Sequence, residues 1–175
     1  VRSPSMEPAD SADALRRAFS CFPTGVVAVC AHRDGTEFVG MAASSFSTVS
    51  LTPPLVSVCV QNSSRTWPLL RDRSTVGVSV FAHDQAQLCR QLAGPAAQRF
   101  ADVELLASDD GALFVDGAAA HLACELHAEY PAGDHTVVLL RIRSLAANPE
   151  VDPLVFHAST FRAFEAPPIA TTHTR

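Results

Sequence analysis

The chain contains no lysine: all thirteen of its basic residues are arginine. Schiff-base catalysis on a lysine amine and phosphate capture by a P-loop lysine are thereby excluded. The five cysteines, Cys21, Cys30, Cys59, Cys89 and Cys124, are odd in number and never form a CxxC pair, so neither a disulfide framework nor a zinc knuckle is indicated, and they read as small core hydrophobes. No apolar run approaches the ~20 residues of a membrane span, and the acidic, polar start (Met6-Glu7-Pro8-Ala9-Asp10) has no signal-peptide pattern, which predicts a cytoplasmic protein. There is no G-x-G-x-x-G, no βαβ alternation and no internal repeat, so a dinucleotide-binding doubly wound sheet is not expected. Basic charge is also scarce: a net charge of −5 without a dense cationic cluster argues against a nucleic-acid binder.

What is present is a chain of 175 residues, enough for one domain with a sizeable core. Its 47% hydrophobic content and mean hydropathy of +0.15 leave apolar surface for a partner subunit, so a homodimer is expected. Residues 1–9 read as a flexible leader, 10–165 as the domain and 166–175 as a disordered tail. Asp10 or Ser11 caps a short helix carrying Leu15, Ala18, Phe19 and Phe22 on one side, with packing as its role. Val26 to Ala31 is an apolar strand, followed by an Asp34-Gly35 hairpin turn. Thr75 to Ala82 is strand-like, and Asp84 caps a helix over Gln85 to Ala93 that Gly94-Pro95 stops. A further helical turn ends at Arg99-Phe100, and residues 101–117 carry no pattern. From Ala118 to Leu145 the pattern is a long hairpin turning at Tyr130 to Asp134, and a last strand lies near Leu154 to His157. About seven strands with only short helices predict an all-β fold, an antiparallel barrel.

The stretch from Gly40 to Thr66 organises the rest. Ser44 to Leu51 is β-favouring but rich in hydroxyls, and Pro53-Pro54 stops it. Leu55 to Val60 is almost continuously apolar, as in a strand covered on both faces. The chain then turns abruptly polar through Asn62-Ser63-Ser64-Arg65-Thr66, with Thr66 as helix N-cap before Trp67-Pro68. Hydroxyls, backbone N–H groups and a guanidinium meeting there make a phosphate site.

Together with Phe22-Pro23-Thr24-Gly25-Val26, the Ser50 to Leu55 turn, Arg99-Phe100, Gly133-Asp134-His135 and Pro153 to His157, these pieces resemble the short-chain flavin reductases, over roughly Leu15 to Phe164. The resemblance implies a Greek-key split β-barrel of the FMN-binding type, paired as a homodimer. It implies an NAD(P)H:flavin oxidoreductase that passes reduced FMN or FAD to a separate monooxygenase. It also implies that Ala42, Ala43, Ser44 and Ser45 contact the flavin ring with Thr24 and Met41 close by. Asn62, Ser63, Ser64, Arg65 and Thr66 would serve the phosphate, and Arg99 and Phe100 the ribityl-phosphate or adenine end. His135 with Asp134, and Phe156 with His157, would lie on the nicotinamide side. No catalytic acid or base is required, no metal is implied, and the lack of a second basic cluster favours NADH over NADPH.

Two other readings remain at this point. One is a flavin-binding module without reductase activity. The other is a metal-dependent barrel oxygenase using His121, Glu125 and His127, which at period two share one face of the first hairpin arm with Ala123 and Glu129.

Overall fold

Val27–His32 (β2) is apolar from Val27 to Ala31, and the fold explains why: both of its faces carry a core. Side chains alternate across a strand. Val27, Val29 and Ala31 enter one hydrophobic cluster with Val56, Val58, Val78, Val138 and Leu140. Val26, Ala28 and Cys30 enter a second, with Phe81, Leu92, Leu113 and Leu154. This computed structural model describes residues 2–33 and 37–164. The Asp34-Gly35 turn and the tail from 165 onward lie outside the described residues, as does Val1.

The remaining strands are β1 (Thr24–Gly25), β3 (Phe38–Ala43), β4 (Ser47–Leu51), β5 (Pro54–Gln61), β6 (Val76–Val80), β7 (Leu105–Ala107), β8 (Ala112–Val115), β9 (Ala120–Ala132), β10 (His135–Ala147), β11 (Val155–His157) and β12 (Thr160–Arg162). Helices α1 (Ala12–Ser20), α2 (Trp67–Arg71) and α3 (Ala86–Ala93), with a 3-10 turn at Ala96–Gln98, are short. Strand pairs among the described residues are antiparallel. The order is β4-β5-β10-β9-β6-β2-β8-β7, with β3 on the other edge of β2, and β1-β11-β12 form a small separate sheet. The run from β3 through β2, β6, β9, β10 and β5 to β4 wraps the first core into a mostly antiparallel split barrel.

The split lies along β3, whose second edge carries no strand among the described residues. Continuing the β4–β5 register past Ser47↔Ser57 would set Ser45 opposite Cys59. There the ladder stops, because the Ser45 hydroxyl takes both backbone groups of Cys59, accepting from its N–H at 2.8 Å and donating to its carbonyl at 3.0 Å. One side chain thus replaces a backbone pair, and the chain opens away from β5.

Several sequence expectations are corrected. The described residues form twelve strands rather than about seven, because β1, β7, β8 and β12 are too short to show a pattern. The strand β5 is not covered on both faces: Cys59 and Gln61 are exposed while Val58 and Val60 are buried. The hydroxyl-rich strand does stop at Leu51, ahead of Pro53-Pro54, but Pro54 itself already opens β5, paired with Leu51. Cys21 and Cys59 are exposed, so only Cys30, Cys89 and Cys124 are core residues. Burial raises the Cys30 and Cys124 thiols to about 12 and Cys89 to about 11. Gln85, not Asp84, precedes α3, and its side chain works in the loop, accepting from the Ala82 N–H and donating to the Asp116 carbonyl. The hairpin turn is Gly133-Asp134 alone, with Gly133 at φ +67 and His135 already paired to Ala132. Helix α1 packs by Ala14, while Phe19 and Phe22 remain 70% and 73% exposed.

Helix α1 keeps Ser11 as N-cap, its hydroxyl accepting from the Ala14 N–H. Packing between β6 and β8 is closer than any side chain permits. A Cβ on Gly77 would stand 2.0 Å from the Leu113 carbonyl oxygen and 2.7 Å from its carbon. Backbone cannot swing aside as a side chain can, so Gly77→Ala should cost more than the roughly 1–3 kcal/mol of ordinary overpacking. A urea midpoint unchanged from wild type would contradict this.

Candidate functional site

A cavity of about 1360 Å³ runs along the open edge of β3, between it, β5, the loop after β5, and the turn after α3. It exceeds the roughly 300–1,000 Å³ of an ordinary single-ligand pocket. Its walls include Met41, Ala42, Ala43, Ser44, Ser45, Ser63, Ser64, Arg65, Thr66, Arg99, Phe100 and His135. The polar stretch after β5, the small-residue stretch after β3 and the basic-aromatic pair after α3 therefore converge on one space.

Arg99 holds that convergence. Its Nε donates to the Gly94 carbonyl at 2.8 Å, and Nη1 donates to both the Gly40 carbonyl and Thr66 Oγ1 at 2.8 Å. Thr66 occupies the N-cap of α2 without capping it; the capping bond comes from Ser64, whose hydroxyl accepts from the Trp67 N–H at 3.1 Å. Thr66 is thereby free to receive Arg99. The Phe100 ring lies against Gly40, where a Cβ would meet its Cζ at 2.8 Å and Cys30 Sγ at 2.5 Å. Only glycine lets strand, ring and guanidinium approach this closely.

His135 reaches the cavity from the other side. Its Nδ1 lies 2.7 Å from Asp134 Oδ1, and that hydrogen bond holds the Asp134 carboxyl below its ordinary value. The turn carrying it is pinned by Asn62, which donates from Nδ2 to the Gly133 carbonyl at 3.1 Å and accepts from Thr136 Oγ1 at 3.0 Å. Asn62 and Asp134 are thus neighbours of the cavity that orient His135, not part of its wall.

Three expected residues are not brought there. Thr24 pairs with Phe156 in the small sheet, Phe156 stacks edge-on with Phe161 at 5.4 Å, and His157 pairs with Thr160; none lines the cavity. Sequence reasoning missed Cys59, Gln61 and Phe38, which do. Cys59 was hidden because Leu55 to Val60 reads as almost continuously apolar, and Gln61 because it falls between that run and the Asn62 to Thr66 segment. Phe38 sits ahead of the Gly40 to Thr66 stretch and lies outside every piece that carries the family likeness.

The metal reading finds no support in the hairpin. The register shift between Leu139↔Ala128 and Leu140↔Leu126 leaves His127 as an unpaired extra residue, and beyond it the alternation changes phase. Glu129 consequently turns toward the first core, accepting from Trp67 Nε1 at 2.7 Å and pairing with Arg71 at 2.7 Å. His121 is committed to the Val115 carbonyl at 2.8 Å, and Glu125 to Arg143 at 3.4 Å. Among the described residues, no group of three or more His, Cys, Asp or Glu is placed to hold a metal ion.

Comparison with known proteins agrees with this geometry. The family described as flavin reductase like domain matches residues 19–165. An NADH-dependent FAD reductase of Streptomyces globisporus is 37% identical over 155 residues, 86% of this chain and 84% of that one. The reductase subunit of a flavin-dependent monooxygenase of Rhodococcus jostii is 32% identical, covering 86% and 77%. A solved structure of the S. globisporus NADH:FAD oxidoreductase, in complex with NAD and FAD fragments, superposes with a TM-score of 0.85 at 36% identity, covering 96% of this chain and 99% of that one. With a cavity on the open edge of a split barrel and these likenesses along nearly its whole length, the chain belongs to the flavin reductase-like domain family.

Proposed function

We infer that the protein is an NADH-dependent flavin reductase that supplies reduced flavin to a separate monooxygenase. The observation that carries this is the cavity itself: an unpaired strand edge, a hydroxyl and guanidinium cluster, and a fixed histidine all face one space large enough for a flavin and a nicotinamide together. The residues fit a flavin. Backbone N–H and C=O groups of Ala42 to Ser45 on an open edge suit the ring's pyrimidine side, where small side chains permit close approach. The Ser45 hydroxyl is spent on Cys59, so Ser45 offers its backbone only. Ser63, Arg65, Thr66 and Arg99 suit a phosphate, through charge-assisted hydrogen bonds.

When bound, the flavin ring accepts hydride from C4 of the nicotinamide, and the protein need furnish no proton for that transfer. Its part is alignment and exclusion of water. His135, tied to Asp134 and backed by Asn62, is positioned to orient the donor. The likeness to proteins named as monooxygenase reductases supports delivery of the product to an oxygenase. A homodimer is supported by the exposed apolar residues Phe19, Phe22, Leu51 and Leu145, the third 94% exposed.

Anaerobic mixing with NADH and flavin should bleach the flavin; its absence with both FAD and FMN would leave only a flavin-binding module. His135→Ala should lower kcat/KM for NADH about tenfold to a hundredfold, the scale of a hydrogen bond to a polar or charged ligand group, while flavin affinity stays near wild type. A collapse of flavin binding instead would remove His135 from the donor side. In the native protein Cys21 and Cys59 should react with a thiol reagent while the three buried thiols stay silent, and flavin should protect Cys59 alone. Equal protection of Cys21 would count against this cavity as the flavin site. Sedimentation should return the mass of two chains; one chain at micromolar concentration overturns the dimer.

A further inference from the structure

Helix α2 is too short to hold itself in place. Its 5 residues lie far below the ~12–15 at which an isolated helix becomes even marginal in water, so its position is set by what it touches. Trp67 and Leu70 bury one side of it in the first core. Its first and last residues, Trp67 and Arg71, stand about one turn apart and so share a face. Both end on one carboxylate: Glu129 Oε1 accepts from Trp67 Nε1 at 2.7 Å, and Oε2 meets Arg71 Nη2 at 2.7 Å. The Glu129 side chain is only 18% exposed. A carboxylate taken that far out of water is costly unless it is paired, and here each oxygen has a donor of its own from the same short helix. Glu129 reaches them because the extra residue at His127 turns it inward.

Neither Glu129 nor Trp67 nor Arg71 lines the cavity, yet the helix they fix begins directly after Thr66, which does. Trp67 is the point of contact. Its backbone N–H is tied to Ser64 Oγ at 3.1 Å and its indole to Glu129. Arg99 takes the Thr66 hydroxyl from the other side. The junction between the hydroxyl-rich loop and α2 is thus gripped by two charged side chains, one in the cavity wall and one outside it. We propose that Glu129 is a positioning residue for the flavin phosphate, holding α2 through Trp67 and Arg71 so that the Ser63 to Thr66 loop meets the phosphate in a fixed geometry. The inference rests on the reductase reading above and on its phosphate cluster. Hydrogen bonds to a charged group are the strong ones, and they weaken steeply with poor distance or angle. A displaced loop therefore forfeits the phosphate contact, while the ring side, carried by β3, keeps its own.

The test is equilibrium binding of FMN and riboflavin, which differ by the phosphate alone, followed by quenching of flavin fluorescence. Wild type should bind FMN the more tightly. Glu129→Ala should weaken FMN about tenfold, the lower end of the scale for a hydrogen bond to a charged group, and riboflavin less than about twofold. Glu129→Gln keeps the volume and an acceptor for the indole but loses the charge facing Arg71; it should weaken FMN about threefold, and it carries the measurement if the alanine variant fails to fold. Trp67→Phe should be selective in the same way, and adding it to Glu129→Ala should cost less than about a further twofold, because the carboxylate acts through that indole. With NADH, KM for FMN should rise with its Kd while kcat stays near wild type. A role in stability alone would lower the melting temperature of these variants and leave the ratio of FMN to riboflavin affinity at its wild-type value. That result, equal losses for both flavins, or additive losses in the double variant overturn the inference. Wild type binding both flavins equally removes the phosphate cluster and this inference with it. The reductase reading fails separately, by a wild-type protein that oxidises NADH with neither FMN nor FAD.

Discussion

A single guanidinium joins three parts of this protein that the backbone does not connect. Arg99 donates to the end of α3 at Gly94, to the open edge of β3 at Gly40, and to the start of α2 at Thr66. Each is a charge-assisted bond, worth roughly 1.5–3 kcal/mol where desolvated, and the rigid fork that serves them from two separate nitrogens, Nε and Nη1, is not available to a lysine ammonium. An unpaired strand edge is ordinarily a liability that invites pairing with another chain. Here one of its carbonyls is occupied by Arg99 and its outer face is covered by Phe100, so the edge is kept open for a ligand yet partly satisfied in its absence. The barrel's split and the cavity are the same feature.

The two-sided burial of β2 is what makes that opening tolerable. With one core on each face, β2 gives β3 a rigid neighbour along six paired positions. The free edge therefore needs no second strand to keep its course. On the far wall, Ser45 ends the β4–β5 ladder with its own hydroxyl instead of leaving Cys59 unpaired. Both rims of the site are thus finished by side chains.

Much of this was legible in the sequence, for identifiable reasons. The apolar run at Val26 to Ala31, the long hairpin from Ala118 to Leu145 and the stop at Gly94 all follow from local chemistry, and the structure has them. The convergence of the Ser44, Ser63 to Thr66 and Arg99 segments came from family likeness, and the cavity brings those segments together. What sequence could not carry was set by tertiary contacts. One extra residue at His127 reverses the phase of a strand and sends Glu129 to Trp67, which strict alternation forbids. Ser64 takes the capping role assigned to Thr66 because Arg99, thirty-three residues on, claims the threonine hydroxyl. The openness of Cys59 depends on where a neighbouring strand stops, and nothing in β5 itself records that.

Trp67 is the chain's one tryptophan, buried next to Thr66 with its indole N–H fixed on Glu129. Flavins absorb where tryptophan emits. Because the ring stands one residue from the proposed phosphate cluster, energy transfer to a docked flavin is short-range and its efficiency depends on how near the ring system comes. A flavin held at the proposed site would therefore register as lost Trp67 emission, with no second tryptophan to blur the signal.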